Sequence, residues 1–413
     1  HASPVVMPPI HSRGAALLAA PVTLLTTSVV VLRVWMALLS GAGLFLALLA
    51  WRRLRPGPVL ALTVVIIASL AVTQLNAVEV MPDWWEAIGA LAVTGLFLQA
   101  VTTGLTRLVA VLLAAGVFFL VLVRWQDAVF LTVPLAAAAL AVPAWRCRGT
   151  LAALAAGLAA GAAEWAGEAW LFYGGPVSRV RLAAREPPTF SLYFSLFRQL
   201  RNLTGAPQDC PPWVHPWLGA WWSALLVLAI LGIITAWRTR PAAPAVLAAV
   251  PATWATTAVP AACAVTLLAA YSVFDDYAMP RYLLPVIVLA AIPAADAIAW
   301  LVSPRRWRAA ALPLVAAFLL AGVITQHYVL RAQAASTGHL DARWVAQARY
   351  LHHLGVRPPC ITGPGHLPVA YYLGCTPAWA DQHLSTLLAQ PPGPGAWHLL
   401  HDPGRPIKVY IRR

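Results

Sequence analysis

Glu164 and Glu168 stand four residues apart in "GAAEWAGEAWLFYGG", so on a helix they share one face, about one turn apart. Two carboxylates in an apolar run repel one another and lose hydration, which makes them candidates for lining a polar cavity within a membrane. The structural alternative is an early helix end that leaves both solvated. In "VEVMPDWWEA" the carboxylates of Glu79, Asp83 and Glu86 form an acidic stretch that could act as a base or take a divalent cation, or could simply be solvated. Asp83 is the preferred member because it precedes the tryptophan pair. Arg124 and Asp127 in "LVRWQDAVF" could serve a site or make a local ion pair that caps the following helix. In "VFDDYAMPRYLLP" the guanidinium of Arg281 suits a lipid phosphate, which it can hold by paired hydrogen bonds. Asp275 and Asp276 would orient it, and an ion pair with either is the plainer reading. Arg179 opens a run of arginines that continues through Arg181, Arg185, Arg198 and Arg201.

Other polar clusters carry less. His352 and His353 point to different sides of a helix, and with His339 and His366 they repeat no ligand spacing, so no zinc site is expected. "TGPGH" has two glycines and no following lysine, which fits a strand-to-helix turn better than a phosphate loop.

The elements that must position these groups are apolar. Hydrophobic residues make up 61% of 413 residues, charged residues only 10%, and the mean hydropathy is +0.74. Such a chain is a polytopic membrane protein, and helices that satisfy their own backbone groups are its expected elements. Roughly nine or ten crossings are expected, so the fold class is an all-α membrane bundle with a small C-terminal α/β domain. An outer loop and interfacial helix come first, then crossings at 29–51, 58–77, 86–102, 108–123, 128–145 and 151–172. A long external segment, 174–216, is followed by a crossing at 217–236, a bent or interfacial helix within 242–272, and crossings at 283–302 and 309–324. The membrane domain is 1–326. The α/β domain is 327–413, with a helix at 341–354, a strand at 360–362, a helix at 367–373 and a final strand at 407–411.

The charge of +14 is spread in clusters without carboxylates at alternate connections, as in "WRRLR", "RCR", "RTR" and "RRWR". That pattern is topological, makes these connections cytoplasmic, and argues against a nucleic-acid partner. The carboxylates then fall on the outer side or within the membrane, with Asp296 deep in a helix. Chemistry is expected on the outer face, and the C-terminal domain is expected to be extracytoplasmic. The one lysine, Lys408, points to a GC-rich genome and to an actinobacterial kind of plasma membrane. Cys147 and Cys263 read as isolated thiols, whereas Cys360, Cys375 and Cys210 all lie outside and offer alternative disulfide pairings. The chain starts at His1 without a signal peptide's features, which suggests a fragment or a trimmed chain.

Three segments resemble the GT-C superfamily of polytopic glycosyltransferases, which includes protein O-mannosyltransferases and aminoarabinose transferases. "MPRYLLPVIVLAAIPAADAIAWL" looks like the segment that opens a late inward helix there. "MPPIHSRGAALLAAPVTLL" looks like the stretch after the first outer loop, and the C-terminal tail resembles the outer domain of many members. The resemblance implies sugar transfer from a polyprenyl-phosphate donor to a glycan, lipid or protein acceptor, with an aspartate of the first outer loop as base. Arg281, with Arg124 or Arg179, would meet the lipid phosphate, and Asp83, Glu164 or Glu168 would line the sugar cavity. No particular cofactor is implied, and a divalent cation could take part. The family's acidic motif would precede His1, since no carboxylate occurs before Glu79. A transporter or flippase with a polar path through Glu164, Glu168 and Asp296 is the alternative, as is a non-catalytic membrane protein of the same fold. No internal repeat supports transport.

Overall fold

Apolar runs in a bilayer leave backbone groups no partner but one another, and the described part of the first unit is accordingly helical. The computed structural model describes residues 12–184, 192–203, 216–238, 254–274, 279–363, 367–378, 397–400 and 409–412. They fall into two units, one of Pro9–Leu330 and one containing Arg331–Arg413.

In the first unit, α1 (Gly14–Thr23) precedes α2 (Val29–Leu49), which Ser28 caps by accepting the Val31 N–H. The stretch expected as one crossing over 58–77 is instead broken into α3 (Gly57–Ala68) and α4 (Ala71–Asn76). The cause is local competition for the helical ladder. Ser69 donates back to the Ile66 carbonyl, and the Ala71 N–H is taken by the side chain of Gln326.

α5 (Pro82–Thr102) starts with proline at its first position, where a missing N–H costs nothing. Asp83, Trp84, Trp85 and Glu86, expected in an interfacial loop, lie in its buried first turn. α6 (Arg107–Ala141) has 35 residues and would measure about 52 Å if straight. Its two ends nevertheless meet neighbouring residues, because Trp145 packs edge-on against Phe97 and Leu105 fills the space beside Gly149. α6 is therefore a hairpin folded at Arg124, whose φ of −159° and ψ of 101° interrupt the helix.

α7 (Arg148–Tyr173) runs along the first arm of α6, with Gly157 and Gly161 against Ala114, Val117 and Val121, a close approach that small residues permit. α8 (Pro176–Ala183), α9 (Leu196–Leu203), α10 (Pro216–Arg238) and α11 (Ala255–Phe274) follow. A 3-10 turn at Pro280–Leu283 then leads into α12 (Leu284–Leu301).

Seven helices among the described residues are long and apolar enough to cross a membrane, α6 counting once although it doubles back. α5 and α12 are the central ones, 78% and 72% buried over their apolar windows, whereas α2 is 11% buried. α5 is also the least hydropathic of the seven, at 1.3. The least hydropathic of these helices is thus kept inside the bundle, where its polar groups can find partners.

α13 (Arg305–His353) runs unbroken through the region where a change of domain was expected at 326/327, its residues to Leu330 belonging to the first unit. In the second unit, β1 (Cys360–Thr362), α14 (Leu367–Leu373), β2 (Thr376–Pro377), β3 (Trp397–Leu400) and β4 (Val409–Arg412) build a sheet of order β2-β1-β4-β3. β1 pairs parallel with β2 and antiparallel with β4. A disulfide joins Cys360 to Cys375, while Cys210 and most of the "TGPGH" turn lie outside the described residues.

The two ends of the bundle differ in chemistry. At one end Trp145 stacks on Trp254, and Arg55 meets Asp296 at 2.6 Å and also Thr257. The arginine-rich connections around Arg55, Arg107 and Arg146 belong to this end. Cys147 lies here too, half-buried, its thiol held below the ordinary range chiefly by the backbone N–H of Thr150. In a Cys210→Ser background a membrane-impermeant maleimide should label Cys147 in inverted vesicles and not in intact cells. Labelling of intact cells would reverse the orientation expected from the arginine clusters.

Candidate active site

The other end of the bundle gathers charges from four separate segments. Proline and the extended Met81 place Asp83 and Glu86 one turn into α5. The fold in α6 brings Arg124 and Asp127 over them, and the last turn of α11 supplies Tyr271. The 3-10 turn before α12 supplies Arg281 and Tyr282.

Arg124 is the hub. One of its terminal nitrogens lies 3.0 Å from Asp83 Oδ1; the other donates to the Tyr271 hydroxyl at 2.8 Å and lies 3.4 Å from Glu86 Oε2 and 3.6 Å from Asp127 Oδ2. Tyr271 in turn donates to Asp127. Arg281 Nε lies 3.4 Å from Asp83 Oδ2, so one carboxylate faces two guanidiniums. Tyr271 and Tyr282 stack with centroids 5.7 Å apart, and both arginines lie over the Tyr282 ring, at 4.7 Å for Arg124 and 5.7 Å for Arg281. The carboxylate side chains are almost fully buried, while the Arg281 side chain is 29% exposed. Arg281 is therefore the most exposed group of this set, ahead of Arg124 at 19%.

Distance and alignment do not coincide everywhere. Neither oxygen of Asp83 receives an aligned hydrogen bond despite the two nearby guanidiniums, and Arg281 Nε and Glu86 Oε1 likewise have no hydrogen-bond partner. Buried polar atoms in that condition mark a site with unused bonding capacity.

A second cluster forms at the same end. Gly174 ends α7 in the left-handed region at φ +75°, and Gly175 at φ +114° continues the reversal, so that α8 returns along α7. Arg179 is thereby buried against Glu168 at 3.0 Å, sandwiched by Trp165 and Tyr173, and Arg13 meets the same carboxylate at 2.7 Å. Glu164 is half-buried one turn earlier.

Of the residues expected to do chemistry, Asp83, Arg124 and Arg281 come together. Glu168, Arg179 and Glu164 form a neighbouring group in which Arg179 is committed to Glu168. Asp275 and Asp276 lie outside the described residues, and the carboxylate beside Arg281 within them is Asp83. The local pair of Arg124 with Asp127 exists, as one contact of a larger network. Asp296 is ion-paired with Arg55 at the opposite end from the Glu168–Arg179 pair. Among the described residues no group of three or more His, Cys, Asp and Glu side chains is disposed to hold a metal ion.

Sequence reading passed over Tyr271, Tyr282 and Arg13. A lone tyrosine near the end of the apolar run "TLLAAYSVF" was the available signal for Tyr271, since a buried hydroxyl needs a partner.

No protein-family model matches the chain, and no curated protein sequence matches it. Among solved structures it is similar to the apo crystal structure of ArnT from Cupriavidus metallidurans, with a TM-score of 0.57 over 86% of this chain and 72% of that one, at 15% identity. ArnT is a GT-C aminoarabinose transferase. At that identity the likeness is one of fold: the chain has an all-α polytopic bundle similar to that of ArnT.

Proposed function

We propose that the protein is an integral membrane glycosyltransferase that moves a sugar from a polyprenyl-phosphate donor to a glycan, lipid or protein acceptor at the outer face of the plasma membrane. The supporting observation is the buried group of Asp83, Glu86 and Asp127 around Arg124, with Arg281 at its edge, in a fold shared with ArnT. Transfer displaces the phosphate from the anomeric carbon. The acceptor oxygen forms the new bond, the carbon–oxygen bond to phosphate breaks, and its electron pair stays on the phosphate. A carboxylate takes the acceptor proton, and fixed cations offset the charge that develops. Arg281 meets the leaving phosphate, Arg124 stands behind it, and Asp83 holds both guanidiniums in place. The Glu168–Arg179 pair shapes the wall beside the sugar by fixing α8 to α7.

The transport reading draws little from this arrangement, because Glu168 and Asp296 sit in ion pairs at opposite ends of the bundle. The test is incorporation of label from radiolabelled polyprenyl-phosphate sugar by membranes carrying the full-length protein. Label should enter a glycan, lipid or protein fraction. Folded protein that gives no incorporation, with substrate flux in proteoliposomes that Glu168→Gln abolishes, would replace this reading with transport.

A further inference from the structure

We propose that Gln199 binds the sugar of the lipid donor, its side-chain amide pairing with two adjacent hydroxyls beside the phosphate that Arg281 meets; the inference rests on the donor reading above. Gln199 is fully buried in α9, yet among the described residues neither its Nε2 nor its Oε1 has a hydrogen-bond partner. A buried primary amide has two N–H donors and an acceptor to satisfy, and folded proteins rarely leave such a group wholly unused.

The anchoring of α9 fixes the direction in which this amide looks. Tyr193 and Ser195 donate their backbone N–H groups to the carbonyls of Val273 and Ser272, at 2.8 Å each, and the Ser195 hydroxyl donates to the Tyr271 carbonyl at 2.8 Å. The Gln199 N–H donates to the Ser195 carbonyl at 2.9 Å, so the two side chains stand one turn apart on the same helix face. Both are buried, whereas Phe197 and Arg198 between them are exposed. The face they share is therefore the one that α9 packs on the end of α11 and on the 3-10 turn of Arg281 and Tyr282. Arg281 Nε, on that turn, has no hydrogen-bond partner either.

The amide selects among ligands by its two unlike ends. A phosphate oxygen can only accept, so it would use Nε2 and leave Oε1 unpaired. Two adjacent sugar hydroxyls satisfy both ends, one donating to Oε1 and the other accepting from Nε2. In a polyprenyl-phosphate sugar the hydroxyls are tied to the phosphate through the sugar ring, which suits an amide on the element that packs against the Arg281 turn.

The test compares short-chain polyprenyl phosphodiesters that differ only beyond the phosphate: a methyl ester without hydroxyls, and mannosyl, glucosyl and arabinosyl esters. The full-length wild-type protein should bind at least one glycosyl probe more tightly than the methyl probe. Gln199→Leu, which is close in volume and lacks the amide, should lower that preference about 10- to 100-fold, the usual effect of a buried hydrogen-bonding group left unmatched, with unchanged affinity for the methyl probe. It should also unfold at or above the wild-type temperature, because an unpartnered amide gives way to an apolar group. Asp275 and Asp276 follow α11 in sequence and lie outside the described residues. Were either the partner of the amide, Gln199→Leu would unfold below the wild-type temperature and keep the glycosyl preference, which would overturn the proposal. An equal loss of affinity for both kinds of probe, or a wild-type protein with no glycosyl preference, would overturn it too. A wild-type protein that binds none of the probes would instead count against the donor reading.

Discussion

Methionine in place of Arg124 should destabilise the helical unit by about 3–5 kcal/mol, the usual consequence of removing one partner from a buried ionic group. Arg124 is the shared partner of Asp83, Glu86, Asp127 and Tyr271, so its loss strands carboxylates that have almost no access to water. The measurement is thermal unfolding of the purified protein in detergent. Adding Asp83→Asn should recover part of the loss, because the pair is coupled and the two effects will not add. An Arg124→Met protein that unfolds at the wild-type temperature would show that the network does not hold this end of the bundle together.

Alanine in place of Arg281 should behave differently. Its side chain is partly exposed, and Asp83 keeps Arg124 when it is gone, so the fold should survive. Sugar transfer should fall about 100- to 1,000-fold, or about 2.7–4 kcal/mol, as when a fixed donor is removed from a site of developing negative charge. Arg281→Lys should restore only part of the rate, since an ammonium cannot offer the paired hydrogen bonds of a guanidinium. Transfer kinetics alongside thermal unfolding check both statements. Unchanged transfer in Arg281→Ala would remove the arginine from the site.

The elements were legible where one physical signal dominated. α2 starts at Val29, where its apolar run was expected to begin, and β1 and α14 lie where they were expected. Hydropathy and arginine placement also put Asp83, Arg124, Glu168 and Arg281 at one end. Legibility failed where two signals coincide. An acidic residue beside paired tryptophans describes an interfacial loop as well as a buried helix start, and only the packing of α2, α6 and α12 around α5 decides for burial. The site's pairings were illegible for a different reason. Arg13 and Glu168 are 155 positions apart, and Arg124 and Tyr271 are 147 apart, distances over which spacing carries no information.

The most direct measurement is photo-crosslinking with a polyprenyl phosphodiester that carries its reactive group beside the phosphorus, followed by mapping of the labelled peptides. Label should fall on the 3-10 turn around Arg281 and on the α6 fold around Arg124, and excess unlabelled lipid should remove it. Label confined to the Arg55 end of the bundle, or to α8 around Arg181, would contradict the assignment of the Asp83–Arg124–Arg281 group as the donor-phosphate site.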